Sequence, residues 1–471
     1  MAMLDSTVVN VALPSIGADL DADVAGLQWT ANGYLLTLSA LILLGGSLGD
    51  RLGRRRVFVI GTVWFAAASL LCGLAPSVWT LVAARMLQGV GGALLTPGSL
   101  AIISAAFAPS DRGRAIGAWS GLMGIFGAAG PFVGGWLISA FSWRWAFLVN
   151  VPVAVAVVLV TLRHVPESRG AVGAHDPAGP GSGPGSDTSP DDGPWHGLDV
   201  AGAALAATAL GLVSWALVTW PESGAGGAVL VAGLAGLAAG AAFVVVERRV
   251  DHPMVPMSLF SGRAFSATNA TTFLVYAGLG GMFFLLVLTL QVVAGFSPLA
   301  AGAALLPVTL IMLVLSPRMG GLVARTGPRL PMVVGPLVAA AGAALTSRLG
   351  ADAQYLRDVV PPIAVFGLGM AVTVAPLTTT VLAAAPDRYA GVASGINNAV
   401  ARAGGLLTVA ALPLVVGLTG DAYRDPALLL PAFRTGLLLC ATLLAAGAVV
   451  SAVALPRNDS GPSQAIGEST A

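Results

Sequence analysis

Apolar runs of about twenty residues recur from one end of this chain to the other, separated by stretches rich in Gly, Pro and charge. A run of that length crosses the hydrocarbon core of a bilayer as a helix, with every backbone N–H and C=O satisfied inside the segment. The alternating ten-residue pattern of a membrane β-barrel is missing. Only 10% of the 471 residues are charged and 56% are hydrophobic. A soluble protein carries about a quarter charged residues, so the chain reads as an all-α membrane protein.

Fourteen spans are expected, near 1–17, 28–48, 57–75, 78–106, 114–140, 143–162, 198–220, 226–247, 265–293, 298–317, 331–350, 359–385, 390–418 and 432–455. The first is too short as written, so the natural start is expected upstream of Met1. Arginine supplies all the positive charge, because the chain has no lysine. With the N-terminus inside, sixteen arginines fall at inner loops and five at outer ones (Arg144, Arg348, Arg357, Arg424 and Arg434). By the positive-inside rule both termini are then cytoplasmic. Residues 163–197, with Gly179-Pro-Gly-Ser-Gly-Pro-Gly185, read as a disordered inner tether. The tail 456–471 reads the same way.

Composition also removes several function classes. A P-loop of the form GxxxxGK[ST] needs a lysine, so the chain does not hydrolyse ATP itself. His164, His175, His196 and His252 all fall in linkers, and Cys72 and Cys440 read as two separate buried thiols. No nucleophile–base or metal constellation lies at membrane depth, so an enzyme is not expected, nor a cofactor. Net charge is +1 and no nucleic-acid partner is expected. Heavy Ala, Gly, Pro and Arg usage points to a GC-rich, bacterial gene.

The chain repeats itself. Gly46-Ser-Leu-Gly-Asp-Arg-Leu-Gly-Arg-Arg55 matches Gly320-Gly-Leu-Val-Ala-Arg-Thr-Gly-Pro-Arg329 at an offset of 274 residues. Ala108-Pro-Ser-Asp-Arg112 matches Ala385-Pro-Asp-Arg388 at 276. Two related six-helix bundles follow, 1–162 and 265–455, with two helices inserted between them at 198–247. Transporters are commonly built from such repeats, with substrate held at the midplane between them.

Gly46–Arg56 resembles the loop motif of the major facilitator superfamily. Arg85-Met-Leu-Gln-Gly-Val-Gly-Gly-Ala93 resembles its fourth-helix motif, and Gly130-Pro-Phe-Val-Gly-Gly135 its fifth-helix antiporter motif. Leu4-Asp5-Ser-Thr7 through Pro14, Trp143-Arg-Trp-Ala-Phe-Leu-Val-Asn-Val-Pro152 and Glu247…His252-Pro253 are similar to the fourteen-helix drug:proton antiporter branch. Gly117 and Gly130 stand where that branch has glycine, whereas Phe126 replaces one. In the second copy of the loop motif Ala324 stands where the first has Asp50.

Asp5 is the one carboxylate inside the apolar body of a span, where a charge is costly, roughly 3 kcal/mol at the bilayer centre. Arg85 is its natural partner, and the resemblance implies proton coupling for the pair. It also implies a cytoplasmic latch at Gly46, Asp50, Arg51, Gly53 and Arg55, with Asp50 holding the two halves together partly against a helix N-terminus. Gly117, Gly130, Pro131, Gly134 and Gly135 would let the fifth helix pack closely and bend. In the family that helix is tied to antiport.

Asn32, Tyr34, Gln88, Asn269, Tyr276, Gln291, Asn398 and Arg402 are candidates to line the central cavity, with Thr272 and Asn397 beside them. The ninth to fourteenth spans hold no carboxylate in their apolar bodies. A neutral or weakly charged hydrophobic substrate therefore fits better than a dication. The expectation is a monomeric exporter of drugs or antibiotics in the cell membrane, driven by the proton motive force. A dedicated exporter of one native metabolite and a non-transporting membrane sensor are the alternatives.

Overall fold

The structure is a computed structural model that describes residues 1–106, 130–168, 199–224, 226–250, 253–386 and 389–455. Gly117, Phe126, Arg112, most of the 163–197 tether and the 456–471 tail lie outside the described residues. All regular structure among the described residues is helical.

The first part runs through α1 (Ala2–Asp19), α2 (Val24–Leu52), α3 (Arg54–Gly73), α4 (Val78–Ala106), α5 (130–140), a short α6 (Trp145–Leu148) and α7 (Asn150–His164). Two helices follow, α8 (Val200–Ser223) and α9 (Gly227–Glu247). A 3-10 turn at Met257–Ser261 leads into α10 (Arg263–Val292). The remainder is α11 (Pro298–Ala303), α12 (Leu306–Thr326), α13 (Arg329–Thr346), α14 (Val360–Ala383), α15 (Ala390–Val416) and α16 (Pro426–Ala454).

Twelve of the expected spans are realised as helices long and apolar enough to cross a bilayer. The other two are 1–17, which forms α1, and 114–140, of which only 130–140 is described. Helix ends follow local chemistry. Asp23 caps α2 by accepting from the Gly26 amide at 2.7 Å, and Asp425 caps α16 by accepting from Ala427 at 2.8 Å. That second cap, followed by Pro426 at the first helical position, starts α16 about two turns before the expected 432. The Gly320–Arg325 copy of the loop motif is likewise helical, as the end of α12.

α2 packs on α4, and α4 on α3; in the second half α10 packs on α15 and α16, and α13 on α14 and α16. The halves meet where α2 lies along α15. α8 touches both of these helices, so the inserted α8–α9 hairpin sits across the seam between the bundles. α10 runs through the core with 67% of its central stretch buried, against 17% for α9. The outward faces are apolar, with Ile60, Trp64, Leu71, Leu234, Leu237 and Val453 all exposed. A surface of this kind needs lipid rather than water around it.

Candidate functional site

Arg85 and Gln88 are three residues apart on α4, hence on one helix face, and that face meets α1 at Asp5. All three side chains are buried, Asp5 at 0% exposure, Arg85 at 1% and Gln88 at 0%. Arg85 Nη1 donates to Asp5 Oδ2 at 2.6 Å. Gln88 Nε2 donates to Asp5 Oδ1 at 2.8 Å, and Asn150 Nδ2, from the start of α7, donates to the same oxygen at 3.0 Å. The carboxylate thus accepts three hydrogen bonds, one of them charge-assisted from Arg85.

The donors are themselves held. Arg85 Nε donates to the Thr30 carbonyl at 3.1 Å, and Nη1 also reaches Gln88 Oε1 at 2.6 Å. Gln88 Nε2 also donates to Ser69 Oγ at 2.7 Å, which fixes the amide from α3. The guanidinium lies 4.5 Å from the ring centre of Tyr34 and 5.7 Å from that of Phe147, within cation–π range. Desolvation of two charges is costly, and the complete set of partners offsets it. Asp5 and Arg85, paired on sequence grounds, are therefore brought together. Gln88, placed on the cavity list, belongs to this cluster instead.

Asn150, Ser69 and Thr30 completed the cluster without being singled out beforehand. Asn150 did carry a signal, since it closes the Trp143–Pro152 motif as a polar residue entering an apolar helix. Ser69 and Thr30 carried none, because isolated serines are common in such spans and Thr30 contributes only its backbone carbonyl.

The residues facing the centre of the molecule are less satisfied. Asn32 is fully buried with neither amide atom partnered, Tyr34 Oη is buried and unpartnered, and so is Arg402 Nε. Arg402 acts electrostatically on both Tyr34 and Tyr276, so these three groups share one region. Unpaired buried polar atoms are rare in folded proteins, which sets this region apart from the Asp5 cluster. Asn397 Nδ2 donates to Thr272 Oγ1 at 2.6 Å and to Asn269 Oδ1 at 3.2 Å. Asn398 is exposed and not part of that network. Gln291 is used otherwise, donating to the Val11 carbonyl of α1 at 3.0 Å and so tying the second bundle to the first.

At the arginine-poor end further polar contacts join the bundles. Arg424 Nη2 donates to the Gly17 carbonyl at 2.9 Å and to Asp21 Oδ1 at 2.9 Å. Tyr423 donates to the Ala22 carbonyl at 2.6 Å, and Gln28 Nε2 reaches Val409 and Ala410 carbonyls at 2.7 and 2.9 Å. The Tyr423 hydroxyl and the Asp21 carboxylate raise the Arg424 pKa above the ordinary range. Next to them, Asp19 accepts from Trp143 Nε1 at 2.9 Å and Arg144 Nη1 at 2.6 Å. Those bonds, Trp143 first, hold its carboxyl below the ordinary value.

Gly130, Gly134 and Gly135 lie in α5 at a three-way contact. A Cβ on Gly130 would strike Thr7, one on Gly134 would sit 2.7 Å from Val8, and one on Gly135 2.6 Å from the Pro298 carbonyl. The close approach thus joins α5 to the Asp5 helix on one side and to α11 of the second bundle on the other. Pro131 faces Gly302 of α11 through its carbonyl.

At the arginine-rich end, Gly53 adopts φ 109° between α2 and α3, a conformation that side chains avoid. Gly46 and Arg51 lie in the last two turns of α2, so the loop motif is helix for most of its length. The carboxylate seen at a helix N-terminus here is that of Glu167. It accepts from the Arg55 and Arg56 amides at 3.0 and 3.2 Å, while Arg55 Nη1 donates to Val165 at 3.1 Å. This ties α3 to the segment after α7, within one bundle. The Asp50 backbone belongs to α2; its side chain lies outside the description.

The sequence pattern of the Major Facilitator Superfamily matches residues 1–409. The chain is 35% identical over 428 residues to the tetracenomycin C resistance and export protein of Streptomyces glaucescens, spanning 90% of this chain and 75% of that protein. It is 36% identical over 431 residues to the puromycin resistance protein pur8 of Streptomyces alboniger, spanning 90% and 81%. Among solved structures, a bacterial homologue of the human lysosomal transporter Spinster superposes with TM-score 0.64 at 16% identity, covering 96% of this chain and 93% of that one. That likeness concerns the fold alone. Sequence and fold agree, and this multi-pass membrane protein belongs to the Major Facilitator Superfamily.

Proposed function

We propose that the protein exports small hydrophobic compounds, antibiotics among them, from a bacterial cell in exchange for protons. The observation that carries the reading is the buried Asp5–Arg85 pair with its Gln88 and Asn150 donors. Intramembrane ion pairs of this kind mark proton relays and substrate paths. Relatives named for antibiotic resistance and export, and for multidrug resistance, support the substrate class.

The chemistry follows from charge. With Asp5 ionised the site is complete. A proton on Asp5 removes the anion and leaves the Arg85 guanidinium as a buried cation without a counter-charge, a state worth several kcal/mol in the unfavourable sense. Arg85 must then shift toward another acceptor, and any shift alters the Tyr34 face it covers. Tyr34 lies in the field of Arg402, in the region with unpaired polar atoms. Proton binding and substrate binding are thereby linked through one ring. The Gly130–Gly135 contact transmits movement of α1 to α11, so the proton state biases how the bundles meet.

In this reading the arginine-rich end is cytoplasmic and the Arg424–Asp21 end outside, in the plasma membrane, with both termini inside. The two bundles are 1–162 and 265–455, joined through the 163–197 tether and the 198–247 hairpin, and the protein acts as a monomer. The test is uptake of hydrophobic antibiotics, puromycin included, into inverted vesicles under an imposed pH gradient. Wild type accumulates drug and loses it when the gradient collapses. Asp5→Asn folds, binds drug and no longer responds to the gradient; continued proton-for-drug exchange by that variant would refute the coupling role.

A further inference from the structure

The ends of the inserted hairpin hold a second pair of buried acids, which the Asp5 mechanism does not use. Asp199 caps the N-terminus of α8, its Oδ1 accepting from the Gly202 amide at 2.6 Å. Glu247 is the last residue of α9, its Oε2 accepting from the Val255 amide at 3.0 Å. Both residues are buried, at 6% and 2% exposure. Their other oxygens, Asp199 Oδ2 and Glu247 Oε1, have no donor among the described residues. Both press on the same point: a Cβ built on Gly202 would lie 2.6 Å from Asp199 Oδ2 and 2.9 Å from Glu247 Oε1.

Two ionised carboxylates cannot rest in that position, since each is desolvated and each repels the other. The two acids line a cleft of about 640 Å³ together with Ser47 of α2, Arg248 and Tyr389, and Asp50 and Arg51 follow Ser47 within the next turn of α2. Arg248 is exposed, and neither orphan oxygen accepts a hydrogen bond among the described residues. One proton removes the conflict, because a carboxylic O–H becomes the missing donor and the opposite oxygen its acceptor.

The helix ends decide which acid keeps it. A negative charge is favoured at a helix N-terminus and disfavoured at a C-terminus. Asp199 stands at the first and Glu247 at the second. We infer that Asp199 and Glu247 bind one proton between them, carried on Glu247 Oε1 and donated to Asp199 Oδ2, as a proton site separate from Asp5. The site closes the base of the α8–α9 hairpin. Through Val255 it also anchors the strand of chain entering the second bundle, where Val255 packs with Leu259 and Phe265. Loss of the proton sets two anions against each other and loosens the hairpin that braces α2 against α15. The inference concerns protonation of the folded chain and stands apart from any transport reading.

Infrared difference spectroscopy on the purified full-length protein in detergent, titrated from neutral to alkaline pH, reads the proton directly. Wild type shows a carboxylic-acid C=O band at neutral pH that disappears as pH rises. Glu247→Gln lacks that band, since its amide donates in place of the proton, and Asp199→Asn lacks it too, since Glu247 then ionises against an amide donor. Asp5→Asn retains it, which separates this site from the coupling site. A wild type without such a band at neutral pH, or a band unchanged in either foldable isosteric variant, would overturn the assignment.

Discussion

The two halves of the chain differ in their buried chemistry. In the first, Asp5 and Arg85 form a fully buried ion pair in which both carboxylate oxygens accept hydrogen bonds and Arg85 donates from Nε and Nη1. In the second, Asn269, Thr272 and Asn397 form a neutral network, and Arg402 keeps an unpartnered Nε. A buried ion pair is strongly destabilised when one member is removed, whereas a neutral hydrogen bond contributes about 1 kcal/mol. In the proposed reading, the first half holds the element that a single proton would switch, and the second contributes neutral polar groups to the proposed substrate region.

Arg85→Ala is the sharpest way to break this contrast. It strands Asp5 without its cation, and stability in detergent should fall by about 3–5 kcal/mol, read by thermal or denaturant unfolding. Rescue by the double variant Asp5→Asn, Arg85→Ala, with most of that loss recovered, would show that the uncompensated charge rather than lost packing is responsible. Asn397→Ala removes two neutral hydrogen bonds from the second bundle. It should cost about 0.5–1.5 kcal/mol and leave the gradient response of transport intact while changing drug affinity, measured as the concentration for half-maximal uptake. Loss of the gradient response in that variant would place coupling in both bundles.

The smallest effect tests how charge fades with exposure. Asp19 is half exposed, and its bonds to Trp143 and Arg144 lower its carboxyl pKa. The stabilisation is present above the unfolded value of 3.8 and is lost as pH falls through the lower folded value. Wild type should therefore lose more stability on acidification below that point than Asp19→Asn does, with equal slopes near neutrality. Melting curves at stepped acid pH measure the difference.

The spans were legible because a bilayer leaves few options: apolar runs of sufficient length must become helices, and breaks of Gly, Pro and charge end them. The pairing of Asp5 with Arg85 was legible for a related reason, since isolated charges at that depth need each other. Gln88, Asn150 and Ser69 were harder. Neutral polar side chains are cheap enough in a membrane helix to appear for many reasons, so which way Gln88 turns depends on what α1, α3 and α7 present to it. Gln291, expected to line the cavity, is instead bonded to a backbone carbonyl of the opposite half, as is Gln28, which carried no sequence signal. Asp425 shows the same limit at a helix end, where a local cap starts α16 at Pro426, before the expected residue 432.

Asp199 and Glu247 mark the boundary most clearly. In sequence they are acids at helix ends, 48 positions apart, and although Glu247 belongs to a family-like motif, nothing in the pattern pairs it with Asp199. Only the antiparallel packing of α8 on α9, with Gly202 between their carboxyls, buries them together and leaves two oxygens without a donor. The sequence by itself determined the membrane environment, the helices, the internal repeat and the rare intramembrane charges, because burial in lipid penalises each residue independently of its neighbours. Tertiary structure decided the partners, since a hydrogen bond or a shared proton depends on ångström distances between helices that no local pattern specifies.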